Sequence, residues 1–225
     1  MPAKRCAPTS FPTATRVEWI ADLCVHVVGV GAGLVGGTVL LIVALPHVTA
    51  GAAASLSVYA AGLLGMFTLS ALYNLARNPA RKFVLRQLDQ SAIFVMIAGT
   101  YTPFAVLKIG GTAGTALMIF VWALALIGLV LKVARPGRAD GLSLVLYLAM
   151  GWSMIFALEP LFRSVAVPVF VLLVVGGLIY TVGVVFHLWS NLRFHNAIWH
   201  GCVLVGAACH YAAVFGSIAL PNGFS

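Results

Sequence analysis

Long apolar stretches separated by short polar connectors dominate the chain. Seven such stretches occur, at residues 19–45, 51–76, 87–107, 113–134, 142–159, 167–188 and 195–219. Most of them reach the ~20 residues that an α-helix needs to cross the hydrocarbon core of a bilayer. Proline or glycine marks most of the connectors, and the strand-like alternation of a membrane barrel is absent. The pattern therefore predicts an all-α protein, a bundle of seven transmembrane helices, in which the fifth segment is the shortest.

Composition narrows the class of protein further. Of 225 residues, 62% are hydrophobic and 8% are charged, whereas a soluble domain carries about 25% charged residues. This excludes a soluble globular enzyme and a disordered chain. The four cysteines form no C-x-x-C pair, so neither a thiolate zinc site nor a disulfide framework is indicated.

The positive charges indicate how the bundle is oriented. If the N-terminus is cytoplasmic, eleven of the thirteen Lys and Arg residues fall on the inner side, and only Lys108 and Arg163 fall outside. Cytoplasmic connectors are normally rich in Lys and Arg. The placement of the basic residues thus predicts an N-terminus inside and a C-terminus outside. Because membrane orientation accounts for the net charge of +8, nucleic acid is not expected as a partner.

A single domain is predicted. Residues 1–18 form a cytoplasmic tail, residues 19–219 the membrane domain, and residues 220–225 an outer tail. The first helix carries Gly29, Gly33 and Gly37 at a spacing of four, which allows a neighbouring helix to approach closely. The partner that this organisation implies is membrane lipid, and no feature of the sequence specifies an oligomer.

Polar residues inside the spans cluster towards the cytoplasmic side. Ser70 and Asn74 lie at the end of the second helix, Asp89 at the start of the third, and Asn196 and His200 at the start of the seventh. The i, i+4 pairs share a helix face, so three helices can present polar groups at one depth. Ionisable groups at such positions are candidate functional residues.

Other roles compete for the same residues. Ser, Asn and His often form hydrogen bonds between membrane helices without any chemistry. Asp89 is the only carboxylate that the sequence places near this cluster, and it could instead pair with Arg86 or reach the interface. Asp140 and Glu159 are expected to be solvated.

Several stretches resemble the hemolysin III family, within the progestin and adipoQ receptor superfamily. They extend from about Glu18 to Val214, and the matching stretches are Leu69–Asn74, Leu88–Phe94, Ile97–Phe104, Asn196–His200 and His210–Tyr211. The resemblance implies seven helices with a cytoplasmic N-terminus in a bacterial inner membrane. It also implies a zinc site formed by one His on the second helix and two on the seventh, with a carboxylate at position 89 that holds a zinc-bound water. The resemblance further implies a membrane-embedded hydrolase, of the kind that acts in the receptor branch on lipid amides such as ceramide.

The chain departs from the family pattern at two ligand positions. Asn74 and Asn196 stand where the family has His, so His200 is the one expected imidazole that remains. An amide oxygen is a much weaker zinc ligand than imidazole. The paired replacements favour the loss of zinc. One alternative is a site rebuilt from His200, Asp89 and a substitute, for which His195, His187 and His26 are the candidates. Weak binding, or binding of a different metal, is another alternative.

The sequence is compatible with two functions. The first is a metal-poor, lipid-related sensor or regulator, or a membrane-perturbing protein. The second is a metal-dependent hydrolase of a lipid amide or ester at the cytoplasmic leaflet. In the second, His200 and Asp89 would hold the metal, Asp89 would also act on water, and Ser70 would help to bind the oxyanion.

Overall fold

The computed structural model describes residues 15–137 and 140–219. Within these residues the chain is helical and contains no strand, and seven segments are long and apolar enough to cross a membrane. The helices are α1 (Arg16–Ala44), α2 (Ala50–Leu75), α3 (Pro79–Pro103), α4 (Gly111–Ala134), α5 (Asp140–Trp152), α6 (Leu158–Ser164), α7 (Val167–Leu188) and α8 (His195–Val214). Two 3-10 turns (Leu45–His47 and Ser153–Ala157) and two π-helical turns (Phe104–Ile109 and Phe215–Ala219) complete them.

The prediction of seven membrane-spanning helices is confirmed. α1 begins at Arg16, slightly before the predicted membrane domain, and the remainder of the N-terminal tail and the tail at 220–225 lie outside the described residues.

Short connectors join consecutive spans, so neighbouring spans run antiparallel. We call the end of the bundle that carries Arg77, Arg86 and Arg193 the basic end; α2 and α7 finish there, and α1, α3 and α8 begin there.

Helix starts follow local sequence signals. Thr15 caps α1 in a capping box with Glu18, and Asn78 caps α3 through its side-chain oxygen, with Pro79 as the first helical residue. These side chains satisfy backbone N–H groups that have no partner inside the helix. The two caps fix where α1 and α3 enter the bundle.

The fifth span is broken, which differs from the continuous helix predicted over 142–159. It consists of α5, the 3-10 turn Ser153–Ala157 and α6. Tyr101 of α3 bridges the break, because its hydroxyl donates to the Gly151 carbonyl at 2.8 Å and accepts from the Met154 N–H at 2.9 Å. Backbone groups inside a membrane need such partners, and this tyrosine supplies them.

Close helix packing depends on glycine. Gly29 and Gly33 of α1 face the Phe67 ring of α2, and Gly37 faces Ala60, which confirms the predicted packing strip. At Gly128 of α4, an added Cβ would lie 2.3 Å from the Phe94 ring. α2 and α3 are the two most buried spans, and the remaining spans surround them.

Candidate metal centre and adjoining cavities

A carboxylate and two histidines meet between α1 and α8, about two to three turns from the basic end. Asp22 and His26 lie four residues apart on one face of α1, and Asp22 Oδ2 is 3.4 Å from His26 Nε2. His200 of α8 approaches from the opposite side, with its Nδ1 2.6 Å from Asp22 Oδ1. The two imidazole rings pack with centroids 4.4 Å apart. One ligand atom from each residue lies within 4.8 Å of the other two, so the group could hold a metal ion.

The burial and hydrogen bonding of the His26 side chain support a metal cation at this position. Its side chain is 4% exposed, and its Nε2 faces Asp22 Oδ2 at 3.4 Å without forming a well-aligned hydrogen bond. A buried nitrogen whose hydrogen-bonding capacity is not satisfied is costly, and such atoms are rare in folded proteins. Two imidazole nitrogens with one carboxylate form a donor set that catalytic zinc sites use, with the fourth position left for water. The residues present therefore fit a zinc ion.

Ser70 and Asp89 adjoin this group. They line a cavity of about 80 Å³ together with His26 and His200. The cavity wall also includes Phe67, Ile93 and Trp199, which makes most of it apolar. The structure thus brings Ser70, Asp89 and His200 together, as the sequence predicted, and adds His26 from the set of candidate substitutes.

The two asparagines lie in a second, more polar cavity of about 250 Å³ nearer the basic end. Asn74 and Asn196 line it, together with Asp89 and His200. The Asn74 amide N–H donates to the Ser70 carbonyl at 3.0 Å, and Asn196 is exposed.

The other two predicted substitutes lie apart from the candidate metal group. His187 lines the polar cavity and packs against the Trp199 ring at 5.2 Å. His195 is the first residue of α8, and its Nδ1 is buried without a hydrogen bond. Within the described residues, neither one comes close enough to Asp22, His26 and His200 to join them.

One edge of the polar cavity carries a network of charges. Asp140 at the start of α5 accepts from Arg86 at 2.7 Å and from Lys132 at 2.8 Å. The Lys132 ammonium also donates to Gln90 at 2.8 Å. The expectation that Asp140 is simply solvated is therefore wrong. Arg86, which the sequence suggested as a partner for Asp89, pairs with Asp140 instead. Asp89 shares a hydrogen bond with Ser70 and lines both cavities.

Apolar cavities continue from the site into the bundle. One of about 110 Å³ shares Met66, Ile93, Tyr180 and Trp199 with the cavity that holds Ser70 and Asp89. A further one of about 270 Å³ shares Trp152, Gly177 and His210 with the first. Together they extend an apolar space from the polar site towards α5 and α7.

The chain is similar to known proteins over most of its length. A family model described as "Haemolysin-III related" matches residues 19–211. The chain belongs to the hemolysin III family. It is 38% identical over 208 residues to the "Hemolysin-3 homolog" of Bacillus subtilis (strain 168), covering 92% of this chain and 98% of the relative. It is also 36% identical to "Hemolysin-3" of Bacillus cereus, over 88% of this chain and 90% of that protein.

A more distant relative extends the similarity beyond bacteria. The chain is 28% identical over 164 residues to the human "Monocyte to macrophage differentiation factor", covering 70% of this chain and 68% of the relative. No solved structure gives a significant match. The family membership places this integral membrane protein in the progestin and adipoQ receptor superfamily, as the sequence motifs indicated.

Sequence reasoning missed Asp22 in this hemolysin III family member. The statement that Asp89 is the only nearby carboxylate is wrong, because Asp22 contacts both His26 and His200. A signal was present: Asp22 and His26 are two ionisable residues at i, i+4 inside the first apolar stretch. The family pattern places its site residues on α2, α3 and α8 and therefore does not point to α1.

Proposed function

We propose that this protein is a membrane-embedded, metal-dependent hydrolase that acts on a lipid amide or ester at the inner leaflet. The observation that carries the proposal is the group formed by Asp22, His26 and His200, in which the buried His26 Nε2 makes no well-aligned hydrogen bond. Asp22 supplies a carboxylate ligand on α1, outside the positions of the family pattern. The metal would be held by α1 and α8 rather than by the family's positions on α2 and α8.

The chain's own residues supply the rest of the chemistry. A bound zinc ion would act as a Lewis acid on the scissile carbonyl. Asp89, in the same cavity, accepts a proton from the attacking water and returns it to the leaving amine or alcohol. The Ser70 hydroxyl donates a hydrogen bond to the oxygen that gains negative charge. Trp199 and Ile93 limit the access of other water molecules.

The shape of the interior supports a lipid as the substrate. The polar cavity near the basic end suits a headgroup, and the apolar cavities beyond Met66 and Tyr180 suit an acyl chain. A cleavable bond between the two parts would lie beside Ser70 and Asp89. The abundance of Arg at the basic end supports its placement on the cytoplasmic side of a bacterial inner membrane.

A second candidate is a metal-free, lipid-binding sensor or regulator. Asn74 and Asn196 at the family's ligand positions favour it. So does the hydrogen bond of 2.6 Å between Asp22 and His200, because it joins α1 to α8 without a metal. In that case the same cavities would bind a lipid without turning it over.

Hydrolysis of a fluorogenic long-chain amide or ester by purified protein in nanodiscs separates the candidates. We expect turnover that a chelator abolishes and zinc restores, and that Asp22→Asn removes. Glu159→Gln is the matched control, since Glu159 is an exposed acid that pairs with Arg163 four residues away. Lipid binding without turnover in zinc-loaded protein would overturn the hydrolase proposal and support the sensor.

A further inference from the structure

Glu18 joins the start of α1 to the start of α8. Its Oε1 accepts a hydrogen bond from the Phe194 N–H at 3.2 Å, across 176 positions of sequence. Its Oε2 accepts from the Thr15 N–H at 2.8 Å and from the Thr15 hydroxyl at 2.7 Å. One carboxylate therefore closes the capping box of α1 and also holds the residue that precedes α8.

Phe194 has an unusual backbone conformation. Its φ is +62°, and it is the one residue other than glycine with positive φ among the residues that the structure describes. A phenylalanine is uncommon in this left-handed region because its Cβ crowds the backbone. The bond from its N–H to Glu18 is a specific interaction that holds this turn, and α8 begins at the next residue.

The bond to Phe194 continues a row of contacts between α1 and α8. Glu18, Asp22 and His26 follow one another at intervals of four on α1, so they share a face. Asp22 and His26 both contact His200. The next polar bond between these two helices, from the Tyr211 hydroxyl to the Gly36 carbonyl at 2.9 Å, lies fourteen residues beyond Asp22. Glu18 is one turn from Asp22. Its hydrogen bond to Phe194 is therefore the polar contact between these segments that lies nearest to the Asp22–His200 pair, and it limits how far α8 can shift along α1.

We propose that Glu18 is a positioning residue for the candidate metal centre. By holding the Phe194 turn, it sets the register of α8 against α1 so that His200 Nδ1 meets Asp22 rather than falling out of reach. The inference rests on the proposed function for its effect on metal binding, while its effect on the Asp22–His200 hydrogen bond is independent of any metal. Among the described residues, the hydrogen bonds of the Glu18 carboxylate go to Thr15 and Phe194 and not to the three residues of the metal group.

Two readouts test the proposal. The first is nitrogen-15 NMR of histidine-labelled, metal-free protein in nanodiscs, with His200→Asn used to assign the His200 signal. The second is zinc affinity measured by competition with a chromophoric chelator. In Glu18→Ala we expect loss of the hydrogen-bonded Nδ1–H signal of His200 and zinc affinity lower by about 10–100-fold, as for residues that orient metal ligands. Glu18→Gln keeps an oxygen that can accept from Phe194, so it should retain the signal.

Two controls separate positioning from simple helix capping. Thr15→Ala removes the cap of α1 but leaves Glu18 bonded to Phe194, so it should leave the His200 signal and zinc affinity near those of the wild type. Glu159→Ala removes an exposed acid far from the site and should change neither readout. Equal losses in Thr15→Ala and Glu18→Ala, or an unchanged His200 signal in Glu18→Ala, would overturn the proposal. Absence of zinc binding by the wild type would overturn the proposed function alone, because the metal-free NMR signal still decides the role of Glu18.

Discussion

Removing Asp140 should destabilise the protein far more than removing its partner Lys132. Lys132 is 1% exposed and is bonded to Asp140 and Gln90. Asp140→Asn would leave this buried ammonium without a counter-charge. Loss of one partner from a buried ion pair typically costs about 3–5 kcal/mol, and the amide oxygen of Asn can still accept one hydrogen bond, so we expect about 3 kcal/mol.

Lys132→Met should cost less stability, because Asp140 still has a basic partner. Asp140 keeps its bond of 2.7 Å to Arg86, and these two side chains are 32% and 29% exposed. Water can therefore solvate what remains, and methionine fills most of the space of the lysine stem. The expected loss is about 1 kcal/mol, close to the value of a partly exposed pair. The double variant should be more stable than Asp140→Asn alone, because the uncompensated charge is gone.

Reversible unfolding in mixed micelles, followed by circular dichroism, measures these differences. Glu159→Gln is the control for loss of a carboxylate from an exposed ion pair, 75% and 77% exposed, and should change stability little. Equal costs for Asp140→Asn and Lys132→Met, or a larger cost for Lys132→Met, would refute the reasoning and the position given to the start of α5.

Three further predictions concern the site. The double variant Asn74→His, Asn196→His should raise zinc affinity at least tenfold over the wild type, because imidazole replaces amide in a cavity that His200 also lines. An unchanged affinity in chelator competition would show that positions 74, 196 and 200 do not form a zinc site. Asp89→Asn should keep its zinc but lose lipid hydrolysis by about 100-fold or more, as expected for a general base; loss of zinc together with activity would make Asp89 a ligand instead. Gly177→Leu should weaken binding of a long-chain lipid without changing zinc content, because Gly177 lines both apolar cavities and the added side chain would fill part of them. The nearest group to a new Cβ is Trp152 at 3.9 Å. Undiminished lipid binding would show that the acyl chain lies elsewhere.

Much of the fold could be predicted from the sequence because a bilayer restricts the choices. Seven apolar stretches of helical length require seven helices, and Gly29, Gly33 and Gly37 indicated where α1 packs closely. The break in the fifth span was not predictable from its own residues. It depends on the Tyr101 hydroxyl of α3, which reaches the backbone at Gly151 and Met154 from another helix.

The site was predicted in part. The i, i+4 pairs on α2 and α8 indicated one depth for Ser70 and His200, and the structure brings both to one cavity. Asp22 was missed because depth along a helix says little about which neighbour a side chain faces. Only the packing of α1 against α8 shows that Asp22 meets His200. The same limit applied to Asp140, whose buried partner Lys132 lies on a helix that precedes it by a single connector.

Zinc content measured by elemental mass spectrometry tests the central claim most directly. Purified protein would be stripped with chelator, reloaded with zinc and washed. We predict about one zinc ion per chain in the wild type, lost in Asp22→Asn, His26→Ala and His200→Ala but kept in Asn74→Ala. A wild type without zinc, or zinc that survives Asp22→Asn and His26→Ala, would contradict the assignment of the metal to α1 and α8.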